Sequence, residues 1–278
     1  MRFPEPLRFY RILPWEKKGS WVKLLGYTVL GYALPHRPDP AILIDFLAVT
    51  GSFMYGFSLN DYFDFQLEGD SNYLGELLRT GRLTHRQALF LVFLPLLLLL
   101  PSFLLPLPSL LLLLLFLLLL TLHSVPPART KDRFFGLGYF FLPLGYTLTF
   151  LQALLLSGDP STPHLLLLPI VLVAACQDEM LGLLLRKEKL KGRERVEKLA
   201  LGLSLPLFLL SLLFLPFFPF FLLTTLFSLV KGEGLRRIAK RGFRLREDPL
   251  WRRMRPLGLS LSTYHLGAYA LLGAVGLF

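Results

Sequence analysis

Asn60, Asp61, Asp64 and Glu68 lie in the stretch SLNDYFDFQLEGD (58–70), at the end of an apolar run that begins near Ala41. If one helix continues through residue 68, Asn60, Asp64 and Glu68 recur at i, i+4 and i+8. They then share a face within about 12 Å of rise, with Asp61 one residue round. Carboxylates this close repel one another, and holding them ionised beside hydrocarbon is costly unless a cation or a water-filled cavity compensates. A divalent metal is the economical explanation. Hard oxygen donors with an amide carbonyl suit magnesium, which keeps some waters and bridges to substrate phosphates. The bland alternative is a solvated helix end, and Asp70, beyond Gly69, reads as that.

A second acidic pair, Asp178 and Glu179, is embedded in LPIVLVAACQDEMLGLLLRKEK, about two turns before the basic run that starts at Arg186. An intramembrane acid pair marks a functional site by default, with a structural contact to a neighbouring Lys or Arg as the alternative. A third stretch, LHSVPPARTKDRFFG (122–136), places Pro126 and Pro127 where they end a helix and present Arg129, Lys131 and Arg133 on a short loop. Those cations suit a diphosphate that the metal also bridges. Considered alone, they equally suit plain topogenic charge.

The elements that must position these groups are membrane helices. The chain has 278 residues, 54% of them hydrophobic, a mean hydropathy of +0.55, and leucine runs such as PLLLLLPSFLLPLPSLLLLLLFLLLL. This composition excludes a water-soluble core and points to one all-α polytopic membrane domain over 1–278. A spanning helix needs about 20 apolar residues and tolerates Pro. Nine spans are therefore expected, near 20–34, 40–65, 86–105, 106–124, 134–156, 163–186, 198–214, 216–231 and 257–277. Lys and Arg test the arrangement, since they collect on the cytoplasmic side. All 30 except Arg37 fall in connections on one side, which predicts a cytoplasmic N-terminus. The acidic ends of the second and sixth spans then face each other across a cavity open to the cytoplasm.

The net charge of +11 is thus topological, and anionic lipid or a phosphorylated substrate is expected as partner in preference to nucleic acid. RRIAKRGFRLREDPLWRRMR is read as a surface-lying basic segment or a loop. The single cysteine, Cys176, excludes a disulfide framework and a Cys-based zinc cluster. No short apolar leader ending at small residues is visible at the N-terminus, and no Gly- or Pro-broken pair of spans suggests a transporter.

NDYFDFQLE resembles the NDxxDxxxD motif of the UbiA superfamily of intramembrane prenyltransferases, with Glu68 in the place of the last Asp. GELLRTGRLTHRQAL is similar to that family's Pro-Leu-x-x-Gly-Arg-Ile-Ser stretch at Gly81, Arg82 and Thr84. HSVPPARTKDR is similar to its Tyr-Ser-x-x-Pro-x-Arg-x-Lys loop, with His123 in the Tyr position. The resemblance implies a UbiA-like helical bundle in a membrane (the inner membrane in a bacterium) with its active site facing the cytoplasm. It implies magnesium-assisted loss of diphosphate from a prenyl diphosphate and transfer of the prenyl group to a hydrophobic acceptor.

Carried across, Asn60, Asp64, Glu68 and Asp178 would be metal ligands. Asp61, Asp64 and Asp178 would be catalytic, and Arg129, Lys131 and Arg79 would contact diphosphate. Phe57, Tyr62, Tyr139 and Tyr146 are candidates to shield an allylic cation. Two departures stand out. The family's second motif is DxxxD, but four residues after Asp178 the chain has Gly182; and Glu76 stands near a position where many members carry Arg. A UbiA-like protein that has lost catalysis and binds lipid or a partner is the competing expectation.

Overall fold

The computed structural model of the chain describes residues 5–12, 24–33, 40–69, 72–129, 138–156, 165, 167–186, 192–214, 221–242 and 248–250. Its main elements are helices: α1 (Glu5–Phe9), α2 (Leu25–Ala33), α3 (Ala41–Glu68), α4 (Tyr73–Arg79), α5 (His85–Phe93), a 3-10 segment (Leu94–Leu104), α6 (Leu107–Ser124), α7 (Gly138–Leu156), α8 (Leu167–Arg186), α9 (Arg193–Gly202), α10 (Ser204–Phe214) and α11 (Phe221–Lys240). Five stretches are long and apolar enough to cross a membrane: Ala41–Glu68, His85–Leu104, Leu107–Ser124, Leu167–Leu184 and Arg193–Leu213. Their outer faces stay uncovered by protein, with Leu104 79%, Phe103 69% and Leu111 55% exposed. That is a lipid-facing surface, and the chain is an integral membrane protein.

Several expected boundaries shift for local reasons. The second span runs on to Glu68, where Gly69 takes a left-handed conformation (φ 64°) and its N–H closes the last turn on Phe65 O at 3.0 Å. The third and fourth spans part at Leu105–Pro106, as expected, but the third becomes a 3-10 helix over Leu94–Leu104, which contains Pro101. The seventh is interrupted at Leu203, between α9 and α10. The eighth does not end at residue 231: α11 continues to Lys240, so Lys231 is mid-helix and part of the basic segment is helical. The ninth expected span, 257–277, lies outside the described residues.

The main core joins Phe53 of α3, Phe116 of α6, Tyr146 and Phe150 of α7, Tyr27 of α2, and Ala174 and Ala175 of α8. Association between lipid-bathed helices relies on close packing at small residues. A Cβ built on Gly51 would stand 2.6 Å from the Pro95 carbonyl oxygen and 2.9 Å from Leu98 Cβ, so α3 and the 3-10 segment touch backbone to side-chain face.

Asn72 fixes the connection after the acidic helix end. Buried at 3% exposure, its Oδ1 accepts from Gly75 N–H at 2.7 Å to cap α4, while its Nδ2 donates to the Asp61 carbonyl at 2.7 Å. Asn72→Ala is expected to cost about 1–2 kcal/mol, read as a lowered thermal midpoint in detergent.

Candidate active site

The continuous helix through Glu68 places Asn60, Asp61, Asp64 and Glu68 as their spacing predicts. Asp61 (3% exposed) and Asp64 (6%) are buried, whereas Glu68 reaches the surface. Asn60 Nδ2 donates to Asp64 Oδ2 at 2.9 Å, which fixes that carboxylate. Arg129, 4% exposed, donates from Nη2 to Asp64 Oδ1 at 2.7 Å and to Glu68 Oε1 at 2.5 Å. On the other side Arg11, at 6% exposure, places Nη1 3.5 Å from Asp61 Oδ1 and its guanidinium 4.9 Å from the centre of the Phe57 ring. Two buried guanidiniums thus flank the three carboxylates and offset much of their mutual repulsion.

Asp178, on α8, receives a 2.8 Å hydrogen bond from Lys231 Nζ of α11. This is the kind of basic contact left open as the alternative for that position, although it comes from a helix and not a loop. Asp178 lies one turn beyond Ala174, and Asp61 one turn beyond Phe57, so both acids border the same aromatic core. Arg79 is exposed at the end of α4, its guanidinium 5.8 Å from the Phe65 ring and outside the buried acid–guanidinium group. Lys131, Arg133 and Asp70 lie outside the described residues, as does the side chain of Tyr139.

Gly81 and Thr84 prove to build the α4–α5 turn, through a left-handed backbone (φ 70°) and a capping box with Gln87. Arg82 pairs with Glu5 of α1 at 2.6 Å, with both side chains exposed. Tyr146 stacks on Tyr27 at 6.1 Å and lies 6.0 Å from Phe53, which is itself 6.2 Å from Phe57. Tyr62 instead packs edge-on against Phe63 and His85.

Arg11 and Lys231 were missed by sequence reasoning, which counted both as topogenic charge. Lys231 had a legible signal, because it closes the apolar run FSLV and is followed by Gly232. Asp45 was missed too. Fully buried near the start of α3, it accepts hydrogen bonds from Tyr32 and Gln152 and ties three helices together.

Comparison with family models and with curated proteins found no match to this chain. Among solved structures, a UbiA homolog from Archaeoglobus fulgidus bound to GPP and Mg2+ aligns with TM-score 0.68 and 17% identity over 96% of this chain and all of that one. The chain has the UbiA-homologue fold. The same homolog bound to Cd2+ aligns with TM-score 0.69 at 17% identity, over 97% of this chain and 100% of that one. A structure concerned with digeranylgeranylglyceryl phosphate synthase in membranes aligns with TM-score 0.66 at 18% identity, over 96% of this chain and 100% of that one.

Within the UbiA-homologue fold, this chain's residues fit a magnesium ion at one half of the site. Asn60, Asp64 and Glu68 offer hard oxygen donors on one helix face. Arg129 bridges the two carboxylates, and among the described residues no three His, Cys, Asp or Glu side chains gather around one point. The other half does not fit. Asp178 is held by an ammonium, and Gly182 carries no side-chain donor atom.

Proposed function

We propose that this protein is a magnesium-dependent intramembrane prenyltransferase of the UbiA type, taking a prenyl diphosphate and a hydrophobic acceptor, with its site at the cytoplasmic end of the bundle. The observation that carries this reading is the interleaving of carboxylates and buried guanidiniums at the end of α3: buried Asp64 and exposed Glu68 with Arg129, and buried Asp61 with Arg11. A site for a metal–diphosphate complex needs both signs of charge within a few ångströms of one another.

Magnesium, held by Asn60, Asp64 and Glu68, would supply Lewis-acid neutralisation of the departing diphosphate. Arg129 bridges Asp64 and Glu68 and would present its guanidinium at the same place to a diphosphate oxygen. Asn60 orients Asp64. Arg11 pairs with Asp61 on the opposite side and adds positive potential. Phe57, Phe53, Tyr146 and Tyr27 continue inward from the acids as a mostly buried aromatic row that would keep water from the reacting centre. The C1–O bond of the prenyl diphosphate breaks with its electron pair passing to diphosphate. The acceptor then bonds to C1 and gives its proton to the freed anion.

A second reading, a UbiA-like protein that binds lipid or a partner without turnover, is favoured by the Lys231–Asp178 pair and Gly182. Purified protein in lipid, incubated with magnesium and radiolabelled prenyl diphosphates of several lengths, separates the two. The expected result is pyrophosphate release that falls about 10²–10³-fold in Asp64→Ala. Absence of release from the native chain with every acceptor, together with release from Gly182→Asp, would establish the second reading instead.

A further inference from the structure

We propose that Lys231 is the second cation of the diphosphate site: its ammonium takes the role that a second metal would have if residue 182 were a carboxylate, so that the protein works with a single divalent ion. This inference rests on the prenyl diphosphate reading above. Lys231 is 7% exposed and sits ten residues into α11, after Leu229 and Val230. Burying an ammonium at such depth is costly without a partner, and its partner is Asp178, at 2.8 Å.

The position is enforced by packing on both sides of the pair. One turn beyond Lys231, Leu235 and Ile238 of α11 pack with Met180, Leu181 and Leu184 of α8, and Gly232 lies against Ser204, 3.1 Å from a Cβ built there. Gln177, next to Asp178, donates to Ser204 Oγ at 2.7 Å and to the Ala200 carbonyl at 2.9 Å, locking α8 to the α9–α10 junction. A metal held by Asp178 would need further anionic donors, and the position one turn on, Gly182, has none. A fixed ammonium needs no such donors. It carries one positive charge and three N–H donors, one of them engaged by Asp178, and a buried cation of that kind suits a diphosphate oxygen. Asp178 is then a positioning residue for Lys231, not a metal ligand.

The experiment uses the full chain in lipid nanodiscs with Mn2+ in place of magnesium and a non-hydrolysable prenyl thiolodiphosphate. Bound Mn2+ is counted by electron paramagnetic resonance, and ligand affinity by calorimetry. The expected result is one Mn2+ per bound ligand in the native chain, affinity at least tenfold weaker in Lys231→Gln, affinity within about threefold of native in Lys231→Arg, and a second Mn2+ in Lys231→Gln/Gly182→Asp. Two Mn2+ in the native chain, or native affinity in Lys231→Gln, would overturn the inference and leave the prenyltransferase reading standing. The native stoichiometry decides the matter even if Lys231→Gln does not fold. Failure of the native chain to bind the thiolodiphosphate, or binding undiminished in Asp64→Ala, would overturn that reading and this inference with it.

Discussion

Arg129→Ala will destabilise the protein by about 3–5 kcal/mol, because it removes the buried guanidinium that buried Asp64 holds at 2.7 Å. The guanidinium is 5% exposed and the Asp64 carboxylate 8%, so solvent cannot replace what is lost there, whereas Glu68, at 39%, can turn to water. Thermal unfolding in detergent would show the loss. In the proposed function pyrophosphate release should fall as well, since Arg129 would also receive the leaving anion. Stability and catalysis can be separated by removing both charges. Arg129→Met/Asp64→Leu should regain most of the stability, as apolar replacement of a buried pair often does, yet release no pyrophosphate. Regained activity in that double variant would show that the pair is only structural.

Gly51→Val is expected to be comparably damaging by a different route. The first added carbon would meet the Pro95 carbonyl oxygen at 2.6 Å, and a backbone atom cannot step aside as a side-chain end can. The helix must then lift off the 3-10 segment, at a cost of about 3 kcal/mol. Because α3 carries Asn60, Asp61, Asp64 and Glu68, the thermal midpoint and pyrophosphate release should fall together on warming. Ser58→Ala is the control on the same helix: its hydroxyl donates back within the helix, to the Met54 carbonyl at 2.7 Å and the Tyr55 carbonyl at 3.1 Å, so the change should stay within about 0.5 kcal/mol. Equal losses in the two variants would refute the packing argument.

The acid face of α3 was legible because helical period and composition act locally. Asn60, Asp64 and Glu68 share a face wherever the chain stays helical, and Gly69 supplied the stop. Pro106 likewise parted two leucine-rich segments that hydropathy runs together. Partnerships across the chain were not legible. Lys231 and Asp178 are 53 residues apart, and Arg11 reaches Asp61 from an N-terminal segment whose mixed charges looked like ordinary membrane flanks. Whether a cation marks topology or enters a site depends on which helices pack together, and leucine-rich faces carry little information about that choice. The break at Leu203 did have a local signal, Gly202 just before it and Pro206 just after, which hydropathy alone passes over.

Arg129 grips Asp64 and Glu68 through the same oxygens that a divalent ion would take. A metal binding there competes with an internal cation, so its apparent affinity in the absence of substrate should be weak. Once displaced, the guanidinium is left beside the metal in search of an anion, which a diphosphate supplies. In the proposed function, metal and diphosphate binding would therefore be linked, each tightening the other by the same factor. A protein built this way would ignore stray magnesium and respond to the metal–diphosphate complex as a unit.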